Sequence, residues 1–155
     1  MAVPICFQVS TRNSGRLRTI QVCVYDSAEE LRKAGRSYEQ HCRYFDPKGA
    51  LRGSPEGGWD NIHGLVQSCQ MLRVYKSGRV RRLPSAGHMR FYRDQLGTGI
   101  IAHETAHMAV AIYEEDIGKT IPDMKREEKL CYLVGDIAQR IVDKLYKLKL
   151  LERKG

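Results

Sequence analysis

Near its middle the chain holds a segment that restricts both its own conformation and its surroundings. From Gly97 to Glu114 there is no Pro, and Ile100, Ile101, Ala102, Ala106, Ala109 and Val110 surround the run His103-Glu104-Thr105-Ala106-His107. Gly97-Thr98-Gly99 breaks the preceding pattern, and Thr98 as N-cap predicts a helix from there to about Glu114. Side chains four apart share a helix face, so His103 and His107 project together with Glu104 beside them. The apolar flanks predict a buried helix, and an unpartnered His-Glu-His cluster is costly to bury. The trio therefore calls for a common partner.

The rest of the chain divides around this helix. Ile5 to Val9 and Leu17 to Tyr25 alternate and are rich in β-branched and aromatic residues, and Thr11 to Gly15 lies between them, so they predict a β-hairpin. Asp26 or Ser27 can cap a short helix, Ala28 to Lys33, that Gly35 ends. Cys42 to Gly64 sustains no period and reads as a long surface loop, of the kind that often flanks a cleft. Strand character returns at Gln70 to Tyr75, at Val80 to Leu83 after a Ser77-Gly78 turn, and at His88 to Tyr92, extending the hairpin into one mixed sheet. From Pro122, with Asp123 as cap, Leu130, Leu133, Val134, Ile137, Ile141, Val142, Leu145 and Leu148 recur at helical spacing and predict one amphipathic helix to about Leu150. The expected architecture is a single α+β domain. Residues 1–96 are mainly sheet and loops, and 97–155 carry the helices.

At 155 residues the chain has room for one modest core and not for a second catalytic domain. With 42% hydrophobic and 28% charged residues it has the composition of a folded globular chain. No apolar stretch is long enough to span a bilayer. Met1 to Ser10 lacks the charged start and apolar core of a secretory signal, which sets the expected compartment as the cytoplasm. Cys6, Cys23, Cys42, Cys69 and Cys131 form no CxxC pair and are expected to be reduced and mostly buried. The net charge of +8, with clusters at Arg79 to Arg82 and Lys144 to Lys154, permits weak, salt-sensitive binding to nucleic acid or an acidic partner. A solvated basic face is the simpler explanation.

The His103-Glu104-Thr105-Ala106-His107 run has the spacing of two zinc ligands and a general base. Neutral imidazole suits Zn2+, and three protein ligands leave a fourth position for water, whose pKa falls from about 15.7 toward roughly 7. Glu104, one residue past the first ligand, can reach that water rather than the metal. It would take the proton as the water attacks a carbonyl and pass it to the leaving amine. The third ligand must come from elsewhere, and the candidates are Glu127 and Glu128, about twenty residues on. Periodicity favours Glu128, which shares a face with Cys131, Tyr132 and Gly135; small residues there suit close packing on the first helix. Glu127 then reads as a first-turn acid complementing the helix dipole, with the roles reversible.

HExxH followed by a glutamate on a later helix resembles the zincin metallopeptidases, specifically the gluzincin branch. Glu128-Lys129-Leu130-Cys131-Tyr132-Leu133-Val134-Gly135 is similar to that branch's ExxADxxG pattern, with Cys131 for Ala and Tyr132 for Asp. In the family that Asp orients a histidine ligand, a task left here to Asp136 or a backbone carbonyl. The metzincin pattern HExxHxxGxxH is excluded, because Val110 and Tyr113 stand where it requires Gly and His. The likeness covers roughly Ala86 to Leu150 and extends to minimal gluzincins and small phage- or mobile-element-encoded metallopeptidase-like proteins.

The resemblance implies a zincin-like domain whose site holds Zn2+ on His103, His107 and Glu128, with Glu104 as catalytic base and a peptide or protein as substrate. It also implies that His88 to Tyr92, the strand before the metal helix, is the edge strand along which an extended peptide binds. His88, Tyr92 and Tyr113 are then candidates for stabilising an oxyanion, though each reads more simply as an ordinary sheet or helix residue. Two other readings stand beside the peptidase. One is a catalytically weak or inactive zincin-fold binding protein acting through the basic surface. The other is a peptidoglycan amide hydrolase.

Overall fold

The computed structural model describes residues 2–45, 59–60, 62–68, 71–118 and 124–152. The hairpin forms where alternation predicts it: β1 (Ile5–Thr11) and β2 (Arg18–Tyr25) pair antiparallel, with Phe7 opposite Val22 and Val9 opposite Ile20. Cys6 faces Cys23 in the same register, and the two form a disulfide. This corrects the expectation of reduced, mostly buried thiols, since direct cross-strand neighbours have their β-carbons within disulfide reach. Cys42 is a half-buried free thiol and Cys131 an exposed one.

The helix after the hairpin is three times the expected length. α1 spans Ala28–Phe45, and Ser27 caps it by accepting a hydrogen bond from the Glu30 N–H at 3.2 Å. Gly35 does not end it. A β-carbon there would stand 2.6 Å from Leu65 Cδ2 and 2.8 Å from the Trp59 ring, so Gly35 marks close packing inside the helix rather than its terminus. Residues 1–96 therefore carry a full layer of helix besides sheet and loops. Of the expected Cys42–Gly64 loop, 46–58 and 61 lie outside the described residues, as do Gln70 at the start of the next expected strand and the Asp123 cap.

Of the next strands, the first is unexpected, while those expected near 70–75, 80–83 and 88–92 form but pair differently. β3 (Gly64–Ser68) begins on the residue expected to close the loop and runs on through Leu65 and Val66. Among the described residues β4 (Leu72–Val74) and β5 (Val80–Arg82) pair only with each other, as a separate two-stranded ribbon rather than an extension of the main sheet. β6 (Ser85–Tyr92) lies between β2, to which it is parallel, and β3, to which it is antiparallel. The four-stranded order is β1-β2-β6-β3, so the expected edge strand His88–Tyr92 is interior and β3 is an edge.

A short 3-10 turn, Arg93–Gln95, leads into α2 (Thr98–Asp116); its N-cap is Gly97, without a side-chain hydrogen bond, and Thr98 already lies inside the helix. α3 (Met124–Lys147) buries Leu133, Ile137, Ile141 and Leu145. α1 covers one face of the sheet, packing on Tyr25, Leu65 and Tyr92. α2 and α3 cover the other, around Val22, Val66, Met89, Phe91, Met108 and Ile112. The result is a single small α+β domain in which the sheet lies between two helical layers. No helix among the described residues is long and apolar enough to cross a membrane.

Candidate metal centre

α2 is apolar on the side that meets the sheet, with Ile101, Thr105, Met108, Ala109 and Ile112 buried. Its outer side is Ala102, His103, Ala106 and His107, all exposed. The expectation that the whole helix is buried is thus corrected. Alanine presents little apolar area to water, so Ala102 and Ala106 leave the histidine face open at small cost. Of the trio only Glu104 is buried, at 6% exposure.

The Nε2 atoms of His103 and His107 lie 3.2 Å apart, with the rings 4.8 Å centroid to centroid and nearly perpendicular. Two nitrogens bound to one tetrahedral zinc at ordinary Zn–N lengths stand about 3.3 Å apart, so this pair fits a shared ion. Glu104 turns inward against the sheet edge. A β-carbon on Gly64 would stand 2.8 Å from Glu104 Cγ and 2.9 Å from Oε1. The first residue of β3 therefore has no side chain where the carboxylate passes. Burial pushes the Glu104 carboxyl above the usual carboxylate range, and His103 pulls it partly back.

The helix thus brings His103, Glu104 and His107 together, but the described residues contain no group of three or more His, Cys, Asp or Glu arranged to hold a metal. Glu127 and Glu128 are exposed in the first turns of α3 and are not gathered to the histidine pair. The packing reason for preferring Glu128 does not hold. Cys131 and Tyr132 are exposed, and a β-carbon on Gly135 would meet nothing within 4 Å, so that face of α3 looks to solvent and not to α2. Asp136 is occupied by Arg140, one turn on, at 3.0 Å.

None of the three oxyanion candidates stands on the exposed histidine face of α2. His88 and Tyr92 face the α1 side of the sheet, where His88 meets the Tyr38 ring and the Tyr92 hydroxyl pairs with His63 Nδ1 at 3.1 Å. Tyr113 is 1% exposed within the α2–α3 core. Sequence reasoning missed Gly64; the available signal was a glycine opening the apolar pair Leu65-Val66.

What fold and site define together is a small α+β domain presenting a histidine pair on an open helix face, backed by a buried carboxylate at the sheet edge. Among known proteins, no family model, curated sequence or solved structure matches the chain.

Proposed function

We propose that the protein is a zinc-dependent metallopeptidase of gluzincin type, with His103 and His107 as ligands and Glu104 as general base. The observation that carries this reading is the 3.2 Å separation of the two Nε2 atoms with Glu104 held between the helix and Gly64. We assign the third ligand to a carboxylate from the start of α3, which must shift from its exposed place to join the histidine pair. Glu127 is itself exposed but precedes Leu130 by three residues and Val134 by seven, in line with the stripe that packs against the core. Glu128 precedes Ile137 by nine, about half a turn round the helix. The burial pattern thus favours Glu127, where periodicity alone favours Glu128.

Held by His103 and His107, a zinc ion would supply Lewis acidity. Glu104 takes a proton from the attacking water and delivers it to the amine that leaves when the peptide C–N bond breaks. β3, an edge strand among the described residues, would offer its outer main-chain groups to an extended peptide by strand addition, and its first residue lies against Glu104. The substrate strand is therefore assigned to β3 and not to β6.

Metal analysis and hydrolysis of a casein-like substrate test the reading together. Glu104→Gln should retain zinc and lose activity by about 10²–10⁴-fold. Equal activity in that variant eliminates the proposed base. Unchanged zinc in Glu127→Ala transfers the third-ligand role to Glu128, and unchanged zinc in both single variants removes α3 from the centre.

A further inference from the structure

The β4–β5 ribbon stands apart from the metal centre in chemistry as well as in pairing. From 61 to 93 the chain has no Asp or Glu, yet it carries Arg73, Lys76, Arg79, Arg81, Arg82, Arg90 and Arg93. Five of those cations lie on the ribbon, and every residue of β4 and β5 is exposed. Arg73 sits directly opposite Arg81, and continuing the register places Tyr75 opposite Arg79, whose carbonyl accepts the Tyr75 N–H at 2.9 Å. Cross-strand partners share a face, so one side of the ribbon carries three arginines around one tyrosine. The other side carries Leu72, Val74, Val80 and Arg82.

The tyrosine draws the guanidiniums inward. The Arg79 guanidinium lies over the Tyr75 ring at 4.7 Å from its centroid. The neighbouring guanidiniums of Arg79, then Arg81 and Arg73, hold the Tyr75 phenol below the usual tyrosine range. Like charges placed directly opposite one another destabilise a two-stranded ribbon, and a ribbon with no buried residue gains little from the core in return. Arginine forks match phosphate oxygens better than lysine does, and a two-stranded ribbon fits the major groove of duplex DNA.

We infer that the β4–β5 ribbon is a nucleic-acid-binding element that grips the phosphate backbone through Arg73, Arg79 and Arg81 gathered around Tyr75. The inference does not depend on the metal centre. An anionic membrane fits less well. A ribbon lying on a bilayer by its apolar side, Leu72, Val74 and Val80, turns the three arginines away from the headgroups.

Fluorescence anisotropy of the full chain with a short labelled DNA duplex tests the inference, compared across salt concentrations and against vesicles containing phosphatidylserine. Three phosphate contacts contribute a slope of about 2.7 in log affinity against log salt, or about a 40-fold weakening from about 50 to 200 mM. Arg73→Ala, Arg79→Ala and Arg81→Ala combined should keep the wild-type melting midpoint and flatten the slope by that amount. Lys144→Ala, Lys147→Ala and Lys149→Ala combined remove the same charge elsewhere and should flatten it much less. Equal losses in the two triple variants, or an unchanged slope in the arginine triple, overturn the assignment to the ribbon. Tighter, arginine-dependent binding to the vesicles than to DNA overturns the choice of ligand.

Discussion

Gly64 has the most specific role of any single residue around the candidate centre, because what matters there is the absence of a side chain. Its backbone lies against Glu104, and an added methyl group would overlap Cγ and the carboxylate at 2.8–2.9 Å. Gly64→Ala should cost about 1–3 kcal/mol by overpacking. Placed in a Glu104→Ala background, the same change should be nearly neutral, since the atoms it meets are gone. Chemical denaturation of the four proteins of this cycle measures the coupling without any assay of activity; additive losses sink the contact. His103, Glu104 and His107 were legible in the sequence because helical spacing alone aligns them. Gly64 was not, since it meets Glu104 only through the packing of α2 on β3, forty residues away along the chain.

Elements were legible where period and length agreed, as in β1, β2, α2 and α3. α1 was cut short because Gly35 reads locally as a stop, whereas packing against Leu65 and Trp59 makes it a necessity inside the helix. β3 was missed because Gly64-Leu65-Val66-Gln67-Ser68 has two apolar residues only, and its pairing with β6 supplies what its own pattern lacks. Strand order was beyond reach for the same reason: β6 becomes interior only once β3 exists. One joint between elements can be tested directly. Asp116, at the end of α2, accepts from the Ser14 hydroxyl at 2.6 Å and pairs with Arg16 at 3.1 Å and the buried Arg18 at 3.5 Å, fixing the hairpin turn to the helix. Asp116→Ala should cost about 3 kcal/mol, lowering the melting midpoint by about 6–12 °C. Arg140→Ala, which breaks only the exposed pair with Asp136, should cost under about 0.5 kcal/mol. Comparable losses in the two variants exclude the tether.

At the scale of the whole molecule, helices on both faces turn the sheet's interior strands into a buried layer, and the two faces differ. The α2–α3 face is apolar, while the α1 face encloses polar groups. There Arg90 donates to Gln67 Oε1 at 2.9 Å and to the Tyr25 hydroxyl at 2.6 Å, and Gln67 donates to the Gly35 carbonyl at 2.8 Å. Arg90 also lies over the Tyr38 ring, which meets His88. His88 is thus confined beside a cation, and burial, with Arg90 second, lowers its pKa from 6.5 to about 4. Linkage sets the sign. Between these values the unfolded chain takes up a proton that folded His88 refuses, so stability is full above about pH 6.5 and falls as the pH drops toward 4. Discounted for partial exposure, the loss is about 1 kcal/mol, or about 2–4 °C in midpoint. Melting curves from pH 7 to 4 should therefore show a steeper decline for the wild type than for His88→Gln, which has no proton to gain. Parallel curves would mean that His88 does not carry the acid sensitivity of the α1 layer.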